Sequence, residues 1–117
     1  MSNKILVTGG NGLVGSCFND VIRASSKEYD LTDYKQALKM FEDTQPDSVI
    51  HCAAKVGGVG GNTKYKGEFF KQNILINTNV IEAARVYGIK NLVAFLSTCI
   101  FPDKIEYPLR ESYLHNG

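Results

Sequence analysis

At 117 residues with 44% hydrophobic and 21% charged side chains, the chain has the composition of about one small globular domain, and a net charge of +1 gives no electrostatic case for nucleic acid or an anionic membrane as a partner. No apolar run approaches the roughly 18 residues of a membrane span, and no signal-peptide core precedes the first apolar segment. Cys17, Cys52 and Cys99 are odd in number and form no C-x-x-C pair, which argues against a disulfide framework or a metal site and points to a reducing, cytoplasmic compartment.

Apolar runs alternate with helical patterns, the signature of parallel βαβ units in an α/β, Rossmann-like, doubly wound sheet. A first strand, Lys4 to Thr8, runs straight into the turn Gly9-Gly10-Asn11-Gly12-Leu13-Val14-Gly15. Glycines at 9, 12 and 15 fit G-x-x-G-x-x-G, a turn that lets a dinucleotide pyrophosphate approach the backbone at the start of a helix. The next stretch is too short. Between Gly15 and Asp30 a doubly wound fold needs a helix, a loop and a second strand, so either the helix or that strand, placed at Val21 to Ala24, is abbreviated. The end of the second strand reads the adenosine ribose; Arg23, Ser25, Ser26 and Lys27 stand there ahead of Glu28, a set that suits a 2′-phosphate and hence NADP, and equally a solvated loop.

A helix from about Asp33 to Asp43 follows, with Tyr34, Ala37, Leu38 and Phe41 on one face, Thr32 as N-cap and Pro46 beyond its end. The next strand, Ser48 to Cys52, leads to Ala53 and Ala54 and then to Val56 through Asn62, which is too glycine-rich for regular structure. A longer helix, about Glu68 to Tyr87, places Phe70, Ile74, Asn77, Ile81 and Ala84 along one stripe for packing on the sheet and stops at Gly88. The last strand is Asn91 to Ser97. At its end Ser97 can hydrogen-bond a substrate carbonyl, and Cys99 fits either a small buried hydrophobe or a general acid or base.

Three segments carry a resemblance: Gly9 to Gly15, His51-Cys52-Ala53-Ala54-Lys55-Val56-Gly57-Gly58, and Ser97-Thr98-Cys99-Ile100-Phe101-Pro102-Asp103-Lys104. Through essentially the whole chain the sequence resembles the GDP-L-fucose synthases, epimerase/reductases among the extended short-chain dehydrogenases/reductases. The resemblance implies NADP-dependent conversion of GDP-4-keto-6-deoxy-D-mannose to GDP-L-fucose, by epimerisation at C3 and C5 and then reduction at C4. By matched position it implies Ser97 as catalytic serine and Cys99 as epimerisation acid/base. It also implies cofactor contacts from Gly9, Gly10, Asn11, Gly12, Leu13, Val14, Gly15, Ala53, Ala54, Leu96, Ser97 and Thr98, to which the end of the second strand adds Ser26 and Lys27, and it implies a homodimer in the full-length protein.

The family's tyrosine, four residues before a lysine, has no counterpart: Tyr29, Tyr34, Tyr65, Tyr87, Tyr107 and Tyr113 are followed at that spacing by Asp33, Leu38, Phe69, Asn91, Glu111 and Gly117. The expectation is a truncated NADP-binding domain over residues 1–117, without the substrate domain and inactive alone. Other nucleotide-sugar epimerases or dehydratases of the superfamily, and a non-catalytic product that binds NADP or pairs with full-length subunits, stay open.

Overall fold

The computed structural model describes residues 3–116, the side chain of Thr98 excepted. Strands β1 (Ile5–Thr8), β2 (Ile22–Ala24), β3 (Ser48–His51) and β4 (Asn91–Ala94) form one parallel sheet in the order β2-β1-β3-β4, joined by helices α1 (Tyr34–Thr44), α2 (Gly58–Lys64) and α3 (Lys66–Val86). This is a Rossmann-like α/β sheet. The fourth strand is shorter than the sequence suggests, ending at Ala94, so Ser97 lies in the loop beyond it.

Which face of the sheet is covered follows from the direction of the crossovers. Right-handed connections that step the same way along a parallel sheet pack on the same face. The segments β2-α1-β3 and β3-α3-β4 both step towards β4, and α1 and α3 pack together over the row Ile22, Leu6, Val49, Leu92. Phe41 and Met40 from α1, with Val80, Ala83 and Ala84 from α3, complete that core. The step from β1 to β2 runs the other way, and its connection belongs on the opposite face. There the abbreviated element is the helix: between Thr8 and Ile22 the only helical structure is a single 3-10 turn at Gly15–Cys17. Arg23 ties this connection down by donating to the carbonyls of Phe18 and Ser16. Parallel sheets are normally buried on both faces, yet on this one Val93 is 56% exposed, with Phe95 just past the strand at 54%.

Helix α1 begins one residue later than its pattern suggests. Asp33, not Thr32, is the N-cap: its carboxylate accepts from the Lys35 N–H at 3.0 Å, while the Thr32 hydroxyl is spent on Asp30. In α3 the expected stripe holds only in part. Phe70, Ile74 and Ile81 are 69%, 50% and 50% exposed, whereas Ala84 of that stripe faces inward together with Asn79, Val80 and Ala83. Apolar residues occur on several sides of this helix, so hydrophobic spacing does not choose its rotation; three asparagines do. Asn73 pairs with both the N–H and the carbonyl of Lys55, Asn77 bonds His51, and Asn79 donates to the Leu31 carbonyl. A buried asparagine left without these partners would cost about 1–3 kcal/mol. The glycine-rich segment after β3 is also helical rather than irregular. Gly57 and Gly61 lie flat against the Phe69 ring, where an added Cβ at Gly57 would stand 2.8 Å from it, so α2 forms by packing on α3 despite its poor intrinsic propensity.

Candidate functional site

The carboxyl ends of β1, β2 and β3 open into a cleft of about 710 Å³, within the range of small-molecule sites and where parallel sheets bind ligands. Its floor is the turn after β1, with Gly9, Asn11, Gly12, Leu13, Val14 and Gly15 in the lining. The turn is folded by the bond from the Gly12 N–H to the Gly9 carbonyl at 3.0 Å, and Gly9 sits in the left-handed region at φ 65°. There its Cα hydrogens face the Ala53 backbone, which a Cβ would meet at 2.9 Å. The N–H groups of Asn11, Leu13 and Val14 make no bond to the described residues, which leaves them available to an anion in the cleft their residues line.

One wall comes from the end of β2 and the loop after it: Ala24, Ser25, Ser26, Tyr29, Asp30, Leu31 and Thr32. The N–H groups of Glu28 and Tyr29 both bond the Ser25 carbonyl, leaving those of Ser26 and Lys27 free. Asp30 accepts from the Thr32 N–H at 3.0 Å and from its hydroxyl at 2.6 Å, an Asx turn whose bonds hold the carboxyl below its ordinary range. Asp30, Leu31 and Thr32 are absent from the residues expected on sequence grounds. The run Asp30-Leu31-Thr32-Asp33 carries the Asx-turn signature that would have marked them.

The opposite wall is Cys52, Ala53, Ala54, Lys55 and Val56, braced by Gln72 and Ile76 of α3. A buried chain of hydrogen bonds sets its position. The Ala53 N–H donates to Thr8 Oγ1 at 3.2 Å, Thr8 Oγ1 stands 2.6 Å from His51 Nδ1, and His51 Nε2 stands 2.8 Å from Asn77 Oδ1. With Asn77 presenting an oxygen, the proton of a neutral imidazole belongs on Nε2, and Thr8 donates to Nδ1. Burial pushes the His51 pKa down, against a smaller upward pull from the Asn77 bond. Burial also raises the Cys52 thiol. His51 is therefore a neutral structural link between β1, β3 and α3.

Not every expected residue reaches the cleft. Gly10 turns towards Arg23, whose Cβ would be 2.6 Å from an added methyl, and Lys27 stands outside the lining. Leu96, Ser97 and Cys99 also lie outside it, and all three are exposed. Ser97 Oγ accepts from the Cys99 N–H at 3.1 Å, so the two residues are locked to each other. Cys99 is not the buried hydrophobe its residue type allows. The Thr98 side chain lies outside the described residues. Among the described residues there is no cluster of metal-ligating side chains, and no helix is long and apolar enough to cross a membrane.

A dinucleotide fits this site unevenly. The adenosine end meets a complete wall and the pyrophosphate meets free N–H groups without a helix N-terminus behind them. Of the segment after β4, expected to face the nicotinamide, no described side chain lines the cleft.

A family model described as the NAD dependent epimerase/dehydratase family matches residues 5–117. The GDP-L-fucose synthase of Dictyostelium discoideum is 42% identical over 124 aligned positions, covering 97% of this chain and 39% of that protein. A probable GDP-L-fucose synthase of Drosophila melanogaster is 43% identical over the same share of each chain. Among solved structures, a GDP-L-fucose synthetase from Naegleria fowleri bound to NADP superposes with a TM-score of 0.83 at 39% identity, over 98% of this chain and 40% of its own. The chain thus spans about two fifths of the length of these relatives.

Proposed function

Because this chain belongs to the NAD dependent epimerase/dehydratase family, we propose that it is the NADP-binding part of a GDP-sugar epimerase/reductase that converts GDP-4-keto-6-deoxy-D-mannose to GDP-L-fucose. The observation that carries this reading is the cleft, in which Gly9, Asn11 to Gly15, Ser26, Ala53 and Ala54 converge at the carboxyl edge of the sheet. NADP rather than NAD is favoured because Ser25 and Ser26 line the ribose end while Glu28 accepts from the Ser25 hydroxyl outside the lining. The dinucleotide supplies a hydride. This chain's own groups bind and orient: the free N–H groups of Asn11, Leu13 and Val14 face the pyrophosphate, and the Asp30 carboxylate offers an acceptor to the adenine amine. In the assembled enzyme the Ser97 hydroxyl hydrogen-bonds the sugar ketone oxygen, and the Cys99 thiol exchanges protons on the carbons beside it.

The exposure of Ser97 and Cys99 beyond the cleft favours a second reading for the chain as it stands, a nucleotide-binding product without turnover. The chain alone, given NADPH and GDP-4-keto-6-deoxymannose, is expected to leave NADPH absorbance unchanged. Joined to the remaining three fifths of the Dictyostelium relative, it should form GDP-L-fucose. In that chimera Cys99→Ser should slow deuterium incorporation at C3 and C5 by about 10²-fold or more with NADP binding retained. A folded, NADP-binding chimera that makes no GDP-L-fucose would contradict the reading.

A cytoplasmic homodimer belongs to the same proposal. Phe70, Ile74 and Ile81 of α3 form an exposed apolar face suited to a copy of the same helix across a two-fold axis. Sedimentation velocity at tens of micromolar should show dimers or larger species, and a well-behaved monomer would refute it.

A further inference from the structure

The cleft is complete for one half of a dinucleotide only. On the adenosine side, Ser25 and Ser26 stand at the end of β2 with the Ser26 N–H unbonded among the described residues, and Tyr29 to Thr32 close the wall. Asp30 is fixed there by Thr32, and Asn79 of α3 fixes the neighbouring Leu31 carbonyl, so this wall is already ordered without ligand. The other half has no such construction. Leu96 is 77% exposed, Phe95 is 54% exposed, and among the described side chains from Ala94 to Cys99 none lines the cleft.

The turn between the halves is weakened too. A helix after the glycine turn would add its dipole to the pyrophosphate site, but this chain has a three-residue 3-10 turn in its place. The N–H groups of Asn11, Leu13 and Val14 remain without a bond to the described residues.

We infer that this chain binds an adenosine nucleotide carrying a 2′-phosphate as a self-sufficient ligand, and that the nicotinamide half of NADP adds almost nothing to its affinity. The inference rests on the NADP reading above. It makes the chain, as it stands, a binder of adenosine 2′,5′-bisphosphate and of either redox form of the dinucleotide alike.

Isothermal titration of the 117-residue chain with adenosine 2′,5′-bisphosphate, NADP, NADPH and nicotinamide mononucleotide tests this directly. The first three are expected to bind within about threefold of one another, and the mononucleotide is expected not to bind at concentrations 50-fold higher. Ser26→Asp, which sets a negative charge against the 2′-phosphate, should weaken all three binders by the same factor, about tenfold or more. NADP or NADPH binding at least tenfold tighter than the bisphosphate, or binding of nicotinamide mononucleotide, would overturn the half-site inference while leaving the NADP reading in place. Failure of every nucleotide to bind would overturn both.

Discussion

Gly15→Ala is expected to destabilise the domain by about 1–3 kcal/mol and to lower nucleotide affinity by about tenfold or more. A Cβ at residue 15 would fall inside the van der Waals shell of the Gly9 carbonyl oxygen and stand 2.8 Å from Gly10 Cα. Both neighbours are backbone, so no rotamer relieves the clash and the turn must open. Opening it moves Gly9, which is itself in contact with the backbone of Ala53, and thus disturbs the floor and one wall of the cleft together. Gly60→Ala in α2 is the matching control: nothing lies within 4 Å of the added methyl, and a helical position gains from alanine. Equal effects of the two substitutions, read by chemical denaturation and nucleotide titration, would show that the turn is not close-packed.

His51 should make the domain acid-sensitive. Its folded pKa is held below the ordinary 6.5 chiefly by burial, so the unfolded chain takes up a proton before the folded one does. The stability it supports is fully present above about pH 6.5 and is lost as the pH falls towards the folded value. Protonating Nδ1 would also turn a donor against the Thr8 hydroxyl, which now donates to it, and so loosen the bond chain that ends on the Ala53 N–H. Asp30, Asp43 and Glu82 have lowered pKa values, caused first by their hydrogen bonds to Thr32, Tyr29 and Arg85, so their losses fall at still lower pH. His51→Gln, which cannot titrate, should abolish the slope that sets in below about pH 6.5 in denaturation midpoints. His51→Leu, which strands Thr8 Oγ1 and Asn77 Oδ1, should cost about 2–4 kcal/mol at neutral pH. A slope that persists in the glutamine variant would place the acid sensitivity elsewhere.

The strands, the glycine turn and two of the helices are legible in the sequence because each depends on neighbours close along the chain. Pro46 and Gly88 mark helix ends as their backbone chemistry requires, and the shortage of residues between Gly15 and Asp30 announces a lost element, which the structure identifies as the helix. What escapes a linear reading is what distant pairs decide. Thr8 and His51 are 43 positions apart, and His51 and Asn77 are 26 apart, so no motif displays their bond chain. The rotation of α3 is set by asparagines whose partners at Lys55, His51 and Leu31 lie 18, 26 and 48 positions away, and α2 is held against α3 by Phe69, which lies beside Gly57 and Gly61. In the cleft, the residues on the turn are legible from glycine spacing, and Ala53 and Ala54 after β3 from the family resemblance. The segment at Ser97 and Cys99 carries a recognisable pattern, but position in space follows from where β4 ends, and β4 ends at Ala94.

The central claim is that one cleft at the carboxyl edge of this sheet holds the nucleotide. Titrating the ¹⁵N-labelled chain with NADP and following its amide resonances tests it most directly. Shifts are expected to concentrate at Asn11 to Gly15, Ser25 to Thr32 and Cys52 to Val56, with Phe95 to Ile100 unmoved. Shifts centred on Phe95 to Ile100, or none at the glycine turn, would contradict it.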